Sequence, residues 1–256
     1  MNLLVDIGNS NIKWSFSNGA ELDHVQTFLY TQDTLVSLLT SNLKSDKRLP
    51  AIEKIIVCCV ASEDIKSIFT TWIEKNTLKI PDYIESSYDA YGVKNAYKNV
   101  TNLGNDRWLL LLYVHHFYKT DVCVIDCGTA VTIDVVLESG QHQGGLIAPG
   151  YMSQISALQL KTNIINNHQY VNQKKIPLLQ NDTDLCIEQG CRQMLLGFIK
   201  TVVSQLKQQY GDTLQVVLTG GDSNSLASDL PSEWHYEPEL LFYGLLFYSK
   251  QKVNQN

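Results

Sequence analysis

The sequence predicts an α/β protein built as two halves related in pattern, and three observations predict it. Apolar, β-branched segments alternate with segments of helical spacing. The opening "LLVDIGNSNIKWSF" runs as an apolar stretch that ends in Asp6, Gly8 and small polar residues, then resumes as a second apolar stretch. Past the middle of the chain "VCVIDCGTAVTIDVV" does the same, and setting Asp6 on Asp126 brings Gly8 onto Gly128 and Asn9 onto Thr129. A repeat of pattern at low identity indicates two related halves. We place the first at 1–118 and the second at 119–256.

Residues 2–7 and 11–16 are expected to be strands joined by a Gly-Asn-Ser turn, because large apolar residues flank turn formers. Helical spacing covers 32–44 and 62–76, and "KIIVCCVAS" between them is a continuous apolar run, as in a strand covered on both faces. A helix is expected over 106–118, with Asp106 in its first turn and Lys119 at its end. After the second hairpin, "GGLIAPG" reads as a glycine-rich loop leading into a helix over 151–160. A polar Asn- and Gln-rich excursion follows over 162–175, then a helix over 183–209, a strand at "LQVVLTGGD" and a last helix over 238–250.

Composition excludes several function classes. The net charge of −6 carries no basic run, which argues against a nucleic-acid partner, whose phosphates need clustered Lys and Arg. No apolar run approaches the roughly 20 residues that span a bilayer, so no membrane is expected. The first apolar run breaks at Asp6 without a basic region before it, unlike a signal peptide. The six cysteines form no C-x-x-C pair, and Cys58, Cys59, Cys123 and Cys127 sit in apolar runs as small buried hydrophobes. That usage suits a reducing cytoplasm.

Two constellations carry chemistry. A strand that ends in Asp-x-Gly and a small polar residue can bring its backbone close to a phosphate while the carboxylate holds a hydrated Mg²⁺ ion. Lys13 in the next strand is either a point charge for those phosphates or a solvated strand residue. Asp106 is either an acid capping the first turn of its helix or the acceptor of a proton from a substrate hydroxyl. Arg107 beside it offers a planar fork for a carboxylate or phosphate. The "TGG" at 219–221 is a weaker signal, a common strand-to-helix turn.

Taken in order, "DIGNSNIK", "GNDR", "DCGTAVTID", "GGLIAPG" and "LTGGD" closely resemble the type III pantothenate kinases across nearly the whole chain. The resemblance implies two ribonuclease-H-like (actin-like ATPase) halves, each a mixed sheet with flanking helices, that clasp ATP. It implies ATP-dependent phosphorylation of pantothenate to 4′-phosphopantothenate, the first step of coenzyme A biosynthesis, by a cytoplasmic homodimer. Asp6, Ile7, Gly8, Asn9, Ser10, Asn11, Ile12 and Lys13 match the loop that holds ATP and Mg²⁺. Asp106 matches the proton acceptor, and Gly104, Asn105, Asp106 and Arg107 match the loop that holds pantothenate. Asp126 matches a ligand of a monovalent cation, K⁺ or NH₄⁺, and Thr129 an ATP contact. Tyr97 is similar to a pantothenate-contacting tyrosine, and Thr183 to a threonine that completes the pocket across a dimer interface.

Two positions depart from the family pattern. Ser10 stands where the family usually has Thr and keeps the hydroxyl; Asn105 replaces the usual Ala and adds polarity beside the proposed base. The rival readings are a sugar or acetate kinase of the same superfamily, a non-catalytic regulator of the kind described as an accessory factor for transcription, and an actin-like filament protein. All the proposed catalytic side chains are present, which disfavours the second, and the chain is short for the third.

Overall fold

The computed structural model describes residues 1–162 and 177–251, so the polar excursion expected over 162–175 lies outside the described residues from 163 onward. The chain divides into two compact units, Met1–His116 with Glu239–Asn256, and Phe117–Pro238.

The first unit opens with an antiparallel meander of β1 (Asn2–Ile7), β2 (Asn11–Ser17) and β3 (Gln26–Leu29). Next come α1 (Leu35–Leu39), β4 (Lys54–Cys59), α2 (Glu63–Thr77), β5 (Asp82–Tyr83), a hairpin of β6 (Asp89–Ala90) and β7 (Val93–Lys94), and α3 (Asn105–Tyr118). The sheet order is β3-β2-β1-β4-β5, with β4 parallel to β1 and β5 parallel to β4.

The helix expected over 32–44 is interrupted: α1 is short and passes into a π-helical turn, Thr40–Lys44. The hydroxyls of Thr34, Ser37, Thr40 and Ser41 donate to main-chain carbonyls one turn back, and such competition loosens a regular ladder. By contrast α2 begins as expected, with the Ser62 side chain accepting from the Ile65 amide.

Side-chain alternation along β1 sorts its residues onto two faces. Leu3, Val5 and Ile7 join Leu35, Leu39, Phe69 and Trp72 in the core beneath α1 and α2. Leu4 faces the other way, with Ile56 and Cys58 of β4 and Leu109 of α3. Asp6 lies on that second face. From Arg107 to Leu112 every residue of α3 is buried, which is why its sequence is apolar nearly all round.

The second unit repeats the plan with β8 (Val122–Cys127), β9 (Ala130–Val136), β10 (His142–Pro149), α4 (Tyr151–Thr162), α5 (Thr183–Tyr210), β11 (Gln215–Thr219), α6 (Ser223–Ala227) and β12 (His235–Tyr236). Its sheet order, β10-β9-β8-β11-β12, matches the first unit strand for strand and direction for direction. Asp6 and Asp126 hold the same place, one residue before the end of the first strand of each sheet.

Two sequence expectations differ from the structure. "GGLIAPG" is strand rather than loop: Gly145–Pro149 pairs with Asp134–Ala130, after an irregularity at Gly144, whose φ is 97°. An edge strand tolerates the proline because no ladder bond is asked of its nitrogen. The second half, read as continuing to 256, ends at Pro238. The last helix, α7 (Leu240–Gln251), instead packs Phe242, Leu245 and Leu246 on Leu4, Ile56 and Leu109 of the first unit.

Close packing of α7 rests on Gly244, where an added Cβ would lie 2.9 Å from Leu109 Cγ. Gly244→Leu should therefore overpack this seam and cost about 1–3 kcal/mol. Thermal unfolding would read this as a fall of several degrees, at about 2–4 °C per kcal/mol in a chain of this size. An unchanged melting temperature would mean that α7 does not pack there.

Candidate active site

The first loop is set by its hairpin. Ile7 pairs with Ile12, and between them the Gly8 amide donates to the Asn11 carbonyl at 3.0 Å. In the second unit Cys127 pairs with Val131, and the Gly128 amide donates to the Ala130 carbonyl at 3.0 Å. The first loop is thus one residue longer, but both expose the residue after their glycine, Asn9 and Thr129. Asp6 and Lys13 are directly opposed across β1 and β2, and opposed residues share a face, so the ammonium stands on the side of the carboxylate.

Sequence reasoning missed Tyr30. Its hydroxyl donates to the Gly8 carbonyl at 2.6 Å, and its amide donates to the Ser10 carbonyl at 3.2 Å, so it braces the loop from β3's end. Burial, then the charges of Cys59 and Asp6, push the Tyr30 phenol up, which keeps it a donor. No local signal marks it, since the contact spans 22 residues.

The N-terminus of α3 carries the second group of side chains. Asp106 Oδ1 accepts from the amide of the next residue, Arg107, at 2.7 Å. The bond fixes the carboxylate over Gly104, where an added Cβ would lie 2.5 Å from Asp106 Oδ1. Arg107 is buried, and its Nη1 donates to the Tyr97 hydroxyl at 2.8 Å with the guanidinium carbon 5.6 Å from the ring centre. Asp106 itself is half-buried. Asn105 points elsewhere: its Oδ1 accepts from the Ser86 amide at 2.9 Å, and its Nδ2 donates to the Cys59 carbonyl at 3.2 Å.

In the second unit two glycines clamp the loop after Asp126. A Cβ on Gly150 would lie 2.0 Å from the Gly128 carbonyl oxygen, and the Gly150 amide and Ser153 hydroxyl both donate to the Thr129 carbonyl, at 3.0 and 2.6 Å. A Cβ on Gly220, whose φ is 97°, would lie 2.3 Å from Asp126 Oδ1. This gives the weak "TGG" signal a reason: the turn after β11 passes too close to Asp126 for any side chain. Thr183 is the first residue of α5 and is exposed, behind an Asp182 cap that accepts from the Asp184 and Leu185 amides.

The first unit therefore gathers Asp6 to Lys13, Tyr97 and Gly104 to Arg107, while Asp126, Thr129 and Thr183 belong to the second. The nearby thiols supply no nucleophile. Burial pushes Cys127 up, helped by Asp126 and Asp222, and burial likewise raises Cys59.

Two sheets of one strand order, each with an aspartate at the hairpin of its first two strands, define the actin-like and sugar-kinase class of fold. Solved structures agree. The chain is similar to a protein of Campylobacter jejuni described as a Baf family transcriptional activator, with a TM-score of 0.60 and 23% identity over 98% of this chain and 99% of that one. It is also similar to a Listeria monocytogenes protein described as an N-acetylmannosamine kinase, with a TM-score of 0.52 and 11% identity over 99% of each chain. Within that class the type III pantothenate kinase family model matches residues 2–205. A type III pantothenate kinase of Pseudomonas aeruginosa is 33% identical over 247 residues, covering 96% of this chain and 97% of that protein. The chain belongs to the type III pantothenate kinase family.

Gly150→Ala should disturb the second loop without removing any functional group. We expect ATP affinity, read by calorimetric titration of the folded variant, to fall about tenfold. Unchanged affinity would show that the loop tolerates the displacement or makes no nucleotide contact.

Proposed function

We propose that this chain transfers the γ-phosphoryl group of ATP to the primary hydroxyl of pantothenate, giving 4′-phosphopantothenate, the entry step of coenzyme A synthesis. The observation that carries the reading is the turn from Gly104 to Arg107. It presents a carboxylate of fixed rotamer beside a buried guanidinium, on a helix that covers the same sheet face as Asp6.

In this reading Asp106 takes the hydroxyl proton as the substrate oxygen bonds to the γ-phosphorus, and the bond to the β–γ bridging oxygen breaks to release ADP. Arg107 and Tyr97, with the main chain of Gly104 and Asn105, orient pantothenate; a guanidinium fork suits its carboxylate. The main chain from Ile7 to Ile12 and the side chains of Asn9, Ser10, Lys13 and Thr129 hold the triphosphate. Asp6 would hold Mg²⁺, which would offset the charge of the phosphates. The donor chemistry fits: Asp6 offers one hard carboxylate at the strand end, and Mg²⁺ characteristically takes one or two carboxylates plus substrate phosphates. Asp126 would hold K⁺ or NH₄⁺, hard cations suited to its oxygen.

The working form is a homodimer in the cytoplasm. Supporting it, α4 packs on α5 and the two expose Met152, Leu158 and Met194. Such a face suits a second copy, whose Thr183 would complete the pocket. Sedimentation at micromolar concentration reads the state directly.

Mass spectrometry of a reaction holding ATP, Mg²⁺, K⁺ and pantothenate should show the phosphorylated acid, at a lower rate in sodium-only buffer. Pantothenate left unchanged while a sugar is phosphorylated would overturn the acceptor. Asp106→Asn keeps an oxygen for the Arg107 amide, so its melting temperature should stay near wild type. It loses the proton acceptor, so turnover should fall on the order of 10²- to 10⁴-fold. Wild-type turnover in the folded variant would make Asp106 a cap alone.

A further inference from the structure

Asn105 is one of the two positions at which this chain departs from the family pattern, and both ends of its side-chain amide are engaged. The Ser86 amide donates to Oδ1 at 2.9 Å, and Nδ2 donates to the Cys59 carbonyl at 3.2 Å, contacts that span 19 and 46 residues. A main-chain N–H on one side and a carbonyl on the other leave a single amide orientation that satisfies both. The Ser86 hydroxyl, buried, donates to the Leu103 carbonyl at 2.8 Å and so ties the same loop to the residue before Gly104.

What Asn105 touches on β4 matters. Cys59 is the last residue of that strand, paired with Ile7, and the next amide, that of Val60, donates to the Ile7 carbonyl at 3.0 Å. Ile7 lies between Asp6 and Gly8 of the first loop. Asn105 therefore joins the first turn of α3 to the strand end that carries the Asp6 loop, through one carbonyl and one peptide. Successive helix residues point about 100° apart, so with Asn105 held on the β4 side, the direction of Asp106 is set.

We infer that Asn105 is a positioning residue: it fixes the proton acceptor, Asp106, in register with the phosphate-binding loop. The inference rests on the kinase reading above. Loss of the latch leaves Asp106 and Gly8 chemically intact but frees the first turn of α3 to roll and shift, and misplacement of a reacting group by about 1 Å can cost on the order of 10² in rate.

The test is a double-mutant cycle on the full chain with ATP, Mg²⁺, K⁺ and pantothenate. Asn105→Ala should lower kcat about tenfold or more with the KM for ATP within twofold of wild type. In an Asp106→Asn background the same substitution should have no further effect on kcat, because its route to the rate is gone. A purely structural role would instead lower kcat by the same factor in both backgrounds. Asn105→Asp keeps the acceptor for the Ser86 amide and removes the donor to Cys59, so it serves if Asn105→Ala does not fold; the same loss and the same non-additivity are expected. Wild-type kcat in Asn105→Ala, or equal losses in both backgrounds, would overturn this inference and leave the kinase standing. A wild-type protein that leaves pantothenate unmodified would overturn both.

Discussion

The rest of the structure depends on one constraint: each sheet must end a buried central strand in a carboxylate and reverse the chain at once. The first strand of each sheet is flanked on both sides, and the residues that lead to its aspartate, Leu3 to Val5 and Val122 to Ile125, are apolar and buried. There the aspartate leaves the core, and a glycine amide closes the turn on a carbonyl of the next strand. Backbone groups at such a turn cannot all be satisfied by the sheet ladder, which is what makes it able to receive phosphate oxygens.

Each turn is held by neighbours with no chemistry of their own. Tyr30 braces the first loop from the edge of its sheet; Gly150 and Gly220 approach the second so closely that a side chain on either would push it aside. The helix that carries Asp106 is anchored in the same manner, by Ser86 and the end of β4. Asp6, Asp126 and Asp106 therefore stand on two strand ends and a helix start, elements tied down by contacts from distant segments. Placement of this kind confers the precision that phosphoryl transfer asks of positioning and electrostatics.

Much of this was legible in the sequence because the hairpins are local. Apolar runs broken at Asp6 and Asp126, the glycines two residues on and the acid opening α3 are all read from neighbouring residues, and the strand order they anchor recurs in both units. What was not legible is what distant segments supply. Nothing near Tyr30 or Ser86 marks them, because their partners lie 17 or more residues away. The glycines of "GGLIAPG" looked like a loop because pairing with β9 is a tertiary fact, and the last helix looked like part of the half it follows until its packing on Leu4 and Leu109 was seen. Asn105 was visible as an oddity, but not its two partners.

The central claim is that Asp106 faces the hydroxyl that attacks a triphosphate held on the Asp6 loop. A crystal structure with a non-hydrolysable ATP analogue, Mg²⁺ and pantothenate tests it most directly. The account predicts the γ-phosphate on the main-chain amides that follow Asp6, and the primary hydroxyl oxygen of pantothenate within hydrogen-bonding distance of an Asp106 carboxylate oxygen, about 2.6–3.2 Å. Pantothenate bound with that hydroxyl turned away from Asp106, or a triphosphate bound clear of the first loop, would contradict it.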